Sequence, residues 1–198
     1  MGIDLSRFEN VQVDCVAKRH EIGVPEKAFL LFSVGELNEN KNHQIVIRAM
    51  AKLGDRNIHY AIAGIGEKRE YLLALARDLG VSEQLHLLGY RKDVAELYKT
   101  SDVFVFPSYR EGLSVSLMEA MASSLPCIVS RIRGNTDLID ENGGKMFDPY
   151  DEKTLLCELS NLVSSDIKNM GIQNSTKIQK FSIEKVSEAM LEIYERSY

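Results

Sequence analysis

Short apolar runs recur along the chain, and the first of them, AFLLFSV, is too short and too β-prone for a helix. They predict six strands, at residues 28–34, 59–64, 84–89, 103–106, 126–130 and 145–147. The runs AFLLFSV and VFVF contain hardly a polar residue, which is typical of strands covered on both faces. The pattern therefore indicates a sheet buried between two layers.

Segments with helical periodicity separate and follow these runs. They predict helices at residues 15–23, 43–54, 70–80, 93–101, 112–124, 151–165, 166–180 and 182–197. Strands that alternate with helices require parallel pairing with right-handed crossovers. The sequence thus predicts an α/β fold, a Rossmann-like doubly wound parallel sheet.

The composition limits the classes of protein to be considered. The chain has 198 residues, enough for one substantial core, and its net charge of −5 argues against a general nucleic-acid partner. It has no apolar run of the roughly 20 residues that a membrane-spanning helix needs. The start, MGIDLSRFENVQVD, lacks the features of a secretory signal. Because Cys15, Cys127 and Cys157 show no metal-binding or disulfide spacing, the expected location is the reducing cytoplasm.

Basic and polar residues gather where the predicted strands end. In an open parallel sheet these ends share one edge, where ligands bind. The residues concerned are Gly35, Glu36, Asn38 and Lys41, then Gly64 and Gly66, then Gly89, Tyr90, Arg91 and Lys92, then Ser108, Tyr109, Arg110 and Glu111, and finally Arg131, Arg133 and Gly134. Positive charge at this edge of an acidic protein predicts an anionic ligand, with phosphate as the natural candidate.

Two acidic residues stand out after the fourth strand. Glu111 ends the loop before a predicted helix, where it either meets a ligand or stabilises the helix N-terminus. Glu119 lies inside that helix among apolar residues, where an ionised carboxylate is costly unless a partner satisfies it. A pair of ligand hydroxyls, such as a ribose, and a buried ion pair are the two alternatives.

The stretch EGLSVSLMEAMA, residues 111–122, resembles the E-x7-E motif of family 4 retaining glycosyltransferases of the GT-B fold. Other segments resemble the same family in the same order, and GIDLSRF is similar to the end of its interdomain linker. Those segments are FLLFSVGELNENKNH, AIAGIGEKREYL, HLLGYRKDVAELYKTSDVFVFPS and RGNTDLIDENGGKMFDP. The resemblance covers essentially the whole chain.

The resemblance implies that this chain is the C-terminal, donor-binding half of a two-domain enzyme. Residues 1–27 would be the linker end and a leading helix, 28–181 the nucleotide-sugar-binding domain, and 182–198 a C-terminal helix. The acceptor would bind an N-terminal half, so this half alone is expected to be inactive. The donor would be a UDP-, GDP- or ADP-linked sugar, with no cofactor or metal.

The resemblance also implies roles for individual residues. Glu111 would hold hydroxyls of the donor sugar, and Lys41 would pair with the diphosphate and stabilise the leaving nucleotide. Glu119 would bind the ribose. The other implied donor-binding residues are Gly35 and Glu36 in the phosphate loop, Tyr90 and Arg91 beside the base, and Gly112, Leu113, Ser114 and Val115, whose amides would approach the sugar and phosphate.

The sequence departs from the family pattern at several of these positions. Glu36 stands where an arginine is usual, and its carboxylate is unfavourable beside a diphosphate. Arg133 and Asp137 replace a glycine and a glutamate of the usual GGxxE segment, and Ser114 replaces a glycine. There are two alternatives: Arg110, Arg131 or Arg133 supplies the missing positive charge, or the Glu36 side chain turns away from the diphosphate.

The expected setting is surface polysaccharide or lipopolysaccharide assembly, with peripheral association at the inner face of the cell membrane through the N-terminal half. Two alternatives remain open at this point: a nucleotide-sugar epimerase of GT-B fold, and a nucleotide-binding module without catalysis. The apolar face of the last helix is expected to be exposed in this chain, because it would pack in part against the N-terminal half.

Overall fold

The computed structural model describes residues 2–163 and 167–195, with the side chain of residue 163 left out. In these residues six parallel strands form one sheet with the order β3-β2-β1-β4-β5-β6. The strands are β1 Phe29–Val34, β2 Ile58–Ala63, β3 Leu85–Gly89, β4 Val103–Phe106, β5 Cys127–Ser130 and β6 Gly144–Phe147. The predicted parallel sheet is confirmed, and the chain order reverses direction between β1 and β4.

Ten α-helices are described in the same residues, and eight of them match predicted helices. They are α1 Ser6–Glu9, α2 Cys15–Glu21, α3 His43–Leu53, α4 Arg69–Asp78, α5 Val94–Thr100, α6 Val115–Ala122, α7 Asn135–Leu138, α8 Glu152–Val163, α9 Lys168–Ile178 and α10 Ile183–Glu195. The four-residue helices α1 and α7 were not predicted, because a single turn shows no periodicity. Residues 164–166 and 196–197 of the predicted helices lie outside the described residues.

Two apolar layers cover the two faces of the sheet. Leu30 and Phe32 of β1 point into one layer, with Tyr98 of α5 and Met118 of α6. Leu31, between them in the strand, points into the other layer, which α3, α4 and α8 complete. Because β1 is covered on both faces, its run of apolar residues is explained, and the doubly wound prediction is confirmed.

The N-terminal segment packs onto the body of the domain. Phe8 is fully buried, and its ring lies edge-on to Tyr98 with 6.2 Å between centroids. Ile3 forms an isolated parallel bridge with Ser182, through hydrogen bonds to Phe181 and Ile183. The functional division at residues 27 and 181 stays a prediction.

The last helix agrees with the expectation of an exposed apolar face. No residue of α10 is buried, and five of its apolar side chains are about half exposed or more. They include Met190, Leu191, Ile193 and Tyr194. Within the described ranges, none of the helices combines the length and apolar character that crossing a bilayer demands.

Candidate functional site

Two adjoining cavities lie at the carboxyl ends of the strands. The first, about 460 Å³, is lined by residues 34–36, 63–66, Tyr90, Arg91 and Val94. The second, about 440 Å³, is lined by residues 34–36, 113–116, Lys41, Glu111 and Glu119. Since residues 34–36 line both, the cavities form one continuous cleft at the point where the chain order reverses, which is the usual ligand site of such sheets.

Close contact between two strand ends gives the floor of this cleft its shape. A Cβ atom on Gly64 would lie 1.8 Å from the carbonyl oxygen of Gly35, so only glycine fits there. The backbone after β2 therefore lies directly against the loop after β1.

Lys41 and Glu111 form an ion pair in the second cavity. The Lys41 Nζ atom lies 2.7 Å from Glu111 Oε1, and the two side chains are only 19 % and 14 % exposed. The same ammonium group lies 4.9 Å from the centroid of the Phe106 ring, within range of a cation–π interaction. The sequence indicated both residues for the site, but the contact between them spans 70 positions and was not predicted.

The loop that carries Lys41 is held firmly at both ends. The Lys41 amide donates to Asn38 Oδ1 at 3.0 Å, and Asn42 adopts a left-handed backbone (φ 51°) while its side chain donates to the Pro149 carbonyl. Asn40 Nδ2 donates to the Arg110 carbonyl, which ties this loop to the loop of Glu111. The ion pair thus joins two segments that a hydrogen bond already holds together.

A buried polar chain behind this loop was missed by the sequence reasoning. His43 Nδ1 lies 2.8 Å from the Tyr60 hydroxyl, which lies 2.8 Å from Ser33 Oγ, and Ser33 donates to the Val105 carbonyl. Burial lowers the pKa of His43 to about 3, so the imidazole is neutral. These bonds connect the start of α3 to β1, β2 and β4. The available signal was Ser33, a polar residue between Phe32 and Val34 in an otherwise apolar strand.

The motif helix begins later than the sequence predicted. The prediction placed its start at Gly112, but α6 begins at Val115 because Ser114 is its N-cap, extended in backbone and accepting from the Leu117 amide. Glu111 therefore lies three residues before the cap, outside the first turn. This geometry disfavours the alternative in which Glu111 only stabilises the helix N-terminus.

Glu119 is half-buried and bonds to a phenol. The Tyr98 hydroxyl donates to Glu119 Oε2 at 3.1 Å, and burial raises the pKa of the Glu119 carboxyl. Within the described part of the chain no basic group lies within 4 Å of this carboxylate, so the buried ion pair is not the explanation of its position. Glu119 also lines the second cavity, where a hydroxyl-rich ligand can reach it.

Tyr90 and Arg91 directly follow β3, and their side chains have different surroundings. Tyr90 is 72 % exposed, so its ring is free to lie against a ligand at the first cavity. Arg91 instead donates from Nε to Asp93 Oδ1 at 2.8 Å and from Nη2 to Glu21 Oε1 at 2.5 Å. Its charge is therefore neutralised by carboxylates, and the contribution of Glu21 on α2 was not predicted.

Lys18 extends this charged cluster across α2 and α5. Its ammonium lies 2.8 Å from Glu21, 2.9 Å from Asp93 and 2.8 Å from Glu96. Hydrogen bonds from Arg91 and Lys18 hold the pKa of the Asp93 carboxyl well below its usual range. The cluster fixes the segment that follows β3, and with it one wall of the first cavity.

Glu36 lies where the two cavities meet. Its exposed carboxylate accepts a hydrogen bond from Asn38 Nδ2 at 2.9 Å, which turns it toward its own loop. The catalytic and donor-binding residues implied by the resemblance all line the cleft except Gly112, which is exposed beside Glu111. Several other residues at the strand ends, among them Lys92, Arg110 and Arg131, do not line it. Among the described residues no group of three or more histidine, cysteine or acidic side chains is placed to hold a metal ion.

The sequence model described as "Glycosyl transferases group 1" matches residues 16–179, which is most of the chain. The chain belongs to this family. Group 1 glycosyltransferases are transferases, and the observed sheet and flanking helices match the solved GT-B structures of such enzymes.

One relative of this group 1 chain is the Escherichia coli UDP-Gal:alpha-D-GlcNAc-diphosphoundecaprenol alpha-1,3-galactosyltransferase, 29 % identical over 98 % of this chain and 52 % of that protein. Anabaena Alr3699/HepE, solved with UDP, has a TM-score of 0.91 at 18 % identity and covers 98 % of this chain and 56 % of that one.

The C-terminal domain of the Francisella tularensis group 1 protein LpcC has a TM-score of 0.78 at 18 % identity. That match covers 92 % of this chain and the whole of the other. This chain spans about half the length of the curated relatives it matches, which agrees with its being a C-terminal domain.

Proposed function

We propose that this chain is the donor-binding half of a retaining glycosyltransferase that transfers a sugar from a nucleotide-sugar. The observation that carries the proposal is the continuous cleft, with an exposed aromatic ring at one end and the Lys41–Glu111 pair at the other. Such a cleft fits a flat base, a ribose and diphosphate, and a sugar in sequence.

Each part of the donor has a matching group along the cleft. The base lies against Tyr90, and the ribose hydroxyls donate to Glu119, whose half-buried carboxylate gains the partners that its burial demands. Glu111 accepts hydrogen bonds from sugar hydroxyls. The free amides at the start of α6 face the sugar and phosphate, where their partial positive charge is favourable.

Lys41 acts on the leaving group in this proposal. When the bond between the anomeric carbon and the phosphate oxygen breaks, the electron pair stays on that oxygen. The Lys41 ammonium donates to the diphosphate and stabilises the charge that develops there. The acceptor hydroxyl oxygen then bonds to the anomeric carbon on the face that the phosphate leaves, and its proton passes to the departing phosphate oxygen. This role requires no bound metal.

The relatives suggest the donor and the setting. The Escherichia coli protein is named for transfer from UDP-Gal to a diphospholipid-linked sugar, and a Rhizobium meliloti relative is named for lipopolysaccharide core biosynthesis. We therefore place the full enzyme in surface polysaccharide or lipopolysaccharide assembly, in the cytoplasm and at the inner face of the membrane. A uridine nucleotide is the first donor to test.

Calorimetry with UDP, GDP and ADP tests the donor site in this chain. One base class should bind, and Glu119→Ala should weaken that binding about tenfold or more, as loss of a charge-assisted hydrogen bond predicts. Absence of binding by all three nucleotides would refute the proposal. In the enzyme joined to its N-terminal half, Glu111→Ala should abolish sugar transfer while nucleotide binding persists.

A further inference from the structure

The cleft lacks an uncommitted positive charge. Its lining includes three carboxylates, on Glu36, Glu111 and Glu119, against two basic groups. Of these, Lys41 is paired with Glu111, and Arg91 is held by carboxylates outside the cleft. A diphosphate entering this space would meet an excess of negative charge, so a further basic group is needed to bind it.

The loop after β5 touches the loop that carries Glu111. Gly134 has a left-handed backbone (φ +83°), and a Cβ atom there would lie 2.2 Å from the Gly112 carbonyl oxygen and 2.9 Å from that of Glu111. The next residue, Asn135, is fully buried and donates to the Ser130 carbonyl at 3.0 Å. These contacts hold the backbone on either side of Gly134. Arg133, the residue before Gly134, therefore lies next to the loop of Glu111, at the sugar end of the cleft.

Arg133 has a side chain available for a ligand. It is exposed, and no carboxylate among the described residues forms an ion pair with it. Arg131 differs, because it lines a separate groove that contains Asp140 and Glu158. A planar guanidinium on a flexible stem suits a phosphate that binds between two fixed loops.

We propose that Arg133 folds over the sugar end of the cleft and binds the β-phosphate of the nucleotide-sugar donor. It supplies the positive charge that Lys41, shared with Glu111, supplies only in part. The contact strengthens as the sugar–phosphate bond breaks and charge collects on the phosphate. The inference rests on the proposed donor site and names a further residue that recognises the diphosphate.

The test compares diphosphate with monophosphate binding in the 198-residue chain. Titrations use UDP and UMP, or GDP and GMP or ADP and AMP if the base proves to be a purine. Arg133→Gln should weaken diphosphate binding about tenfold or more, as loss of a charge-assisted contact predicts, and change monophosphate binding less than about twofold. Arg131→Gln removes the same charge from a neighbouring position and should change neither. Thermal unfolding of each variant checks that the fold is retained.

Three results would overturn the inference: unchanged diphosphate binding by Arg133→Gln, equal losses in Arg133→Gln and Arg131→Gln, or a loss confined to Arg110→Gln. In each case the wild-type chain still binds a nucleoside diphosphate, so the donor site survives. Failure of the wild-type chain to bind any nucleoside diphosphate would instead refute the donor site itself, and this inference with it.

Discussion

The contact between Gly134 and the loop of Glu111 gives a prediction with a calculable size. In Gly134→Ala the new methyl group meets the Gly112 carbonyl oxygen at 2.2 Å. Ordinary van der Waals separations of about 3.5 Å require the two loops to part by about 1 Å. The left-handed backbone adds about 1–2 kcal/mol of strain and the overpacking about 1–3 kcal/mol. We therefore expect a loss of about 3 kcal/mol in the free energy of unfolding.

Gly54→Ala is the matched control. Gly54 caps α3 and also has a positive φ (+69°), but a Cβ atom there would have nothing within 4 Å. It should therefore lose only the backbone term, about 1 kcal/mol. Urea unfolding measures both losses, and calorimetry measures affinity for the nucleotide-sugar. Since a displacement of 1 Å can cost up to about 100-fold in function, Gly134→Ala should weaken donor binding at least about tenfold, and Gly54→Ala should leave it unchanged.

Two results would refute this reasoning. Equal losses of stability in the two variants would show that the close contact with Gly112 has no energetic weight. Unchanged nucleotide-sugar affinity in Gly134→Ala would show that the loop after β5 does not position the donor site.

Three further substitutions test the burial and charge of particular side chains. Glu119→Gln removes a carboxyl whose pKa is raised by burial. Because the folded state holds that proton more tightly than the unfolded state, the wild-type fold loses stability as pH rises through the pKa. The free energy of unfolding in urea should therefore fall between about pH 4 and about pH 7 in the wild-type chain, and the variant should lack that fall. An identical slope in both proteins would contradict the burial of the charge. Asp93→Asn removes a carboxylate whose pKa is lowered by Arg91, so the variant should be less stable near neutral pH by at most about 1 kcal/mol, and the difference should vanish as pH falls through the folded pKa. A difference that persists in acid would contradict the ion pairing. Phe8→Ala should cost about 3–5 kcal/mol in urea unfolding, because the ring is fully buried against Tyr98, and a loss below about 1 kcal/mol would show that the N-terminal segment is not part of the core.

Local pattern was enough to predict the sheet. AFLLFSV and VFVF are apolar because β1 and β4 are covered on both faces, and this signal lies within a few residues. The start of α6 was also signalled locally. Ser114 is a typical N-cap residue, and reading it as one would have placed the helix start at Val115 instead of Gly112.

Contacts between distant segments could not be predicted in the same way. Lys41 and Glu111 lie 70 positions apart, and so do Arg91 and Glu21. Because Lys41 and Glu111 each follow a strand, the sequence predicted that they lie at the same edge of the sheet. It did not predict that they are in contact. It gave no reason to connect Arg91 with α2, because that pairing depends on how a helix packs outside the sheet.

The bridge between Ile3 and Ser182 brings the two ends of the packed core next to each other. The chain enters and leaves the core at neighbouring points, and α10 beyond the bridge contributes no buried residue. A circular permutant that joins these two points by a short linker, with new ends opened in the exposed turn at Asp55 and Arg56, would keep all six strands and both apolar layers. Such a permutant would change the order of the strands along the polypeptide and keep their order in the sheet.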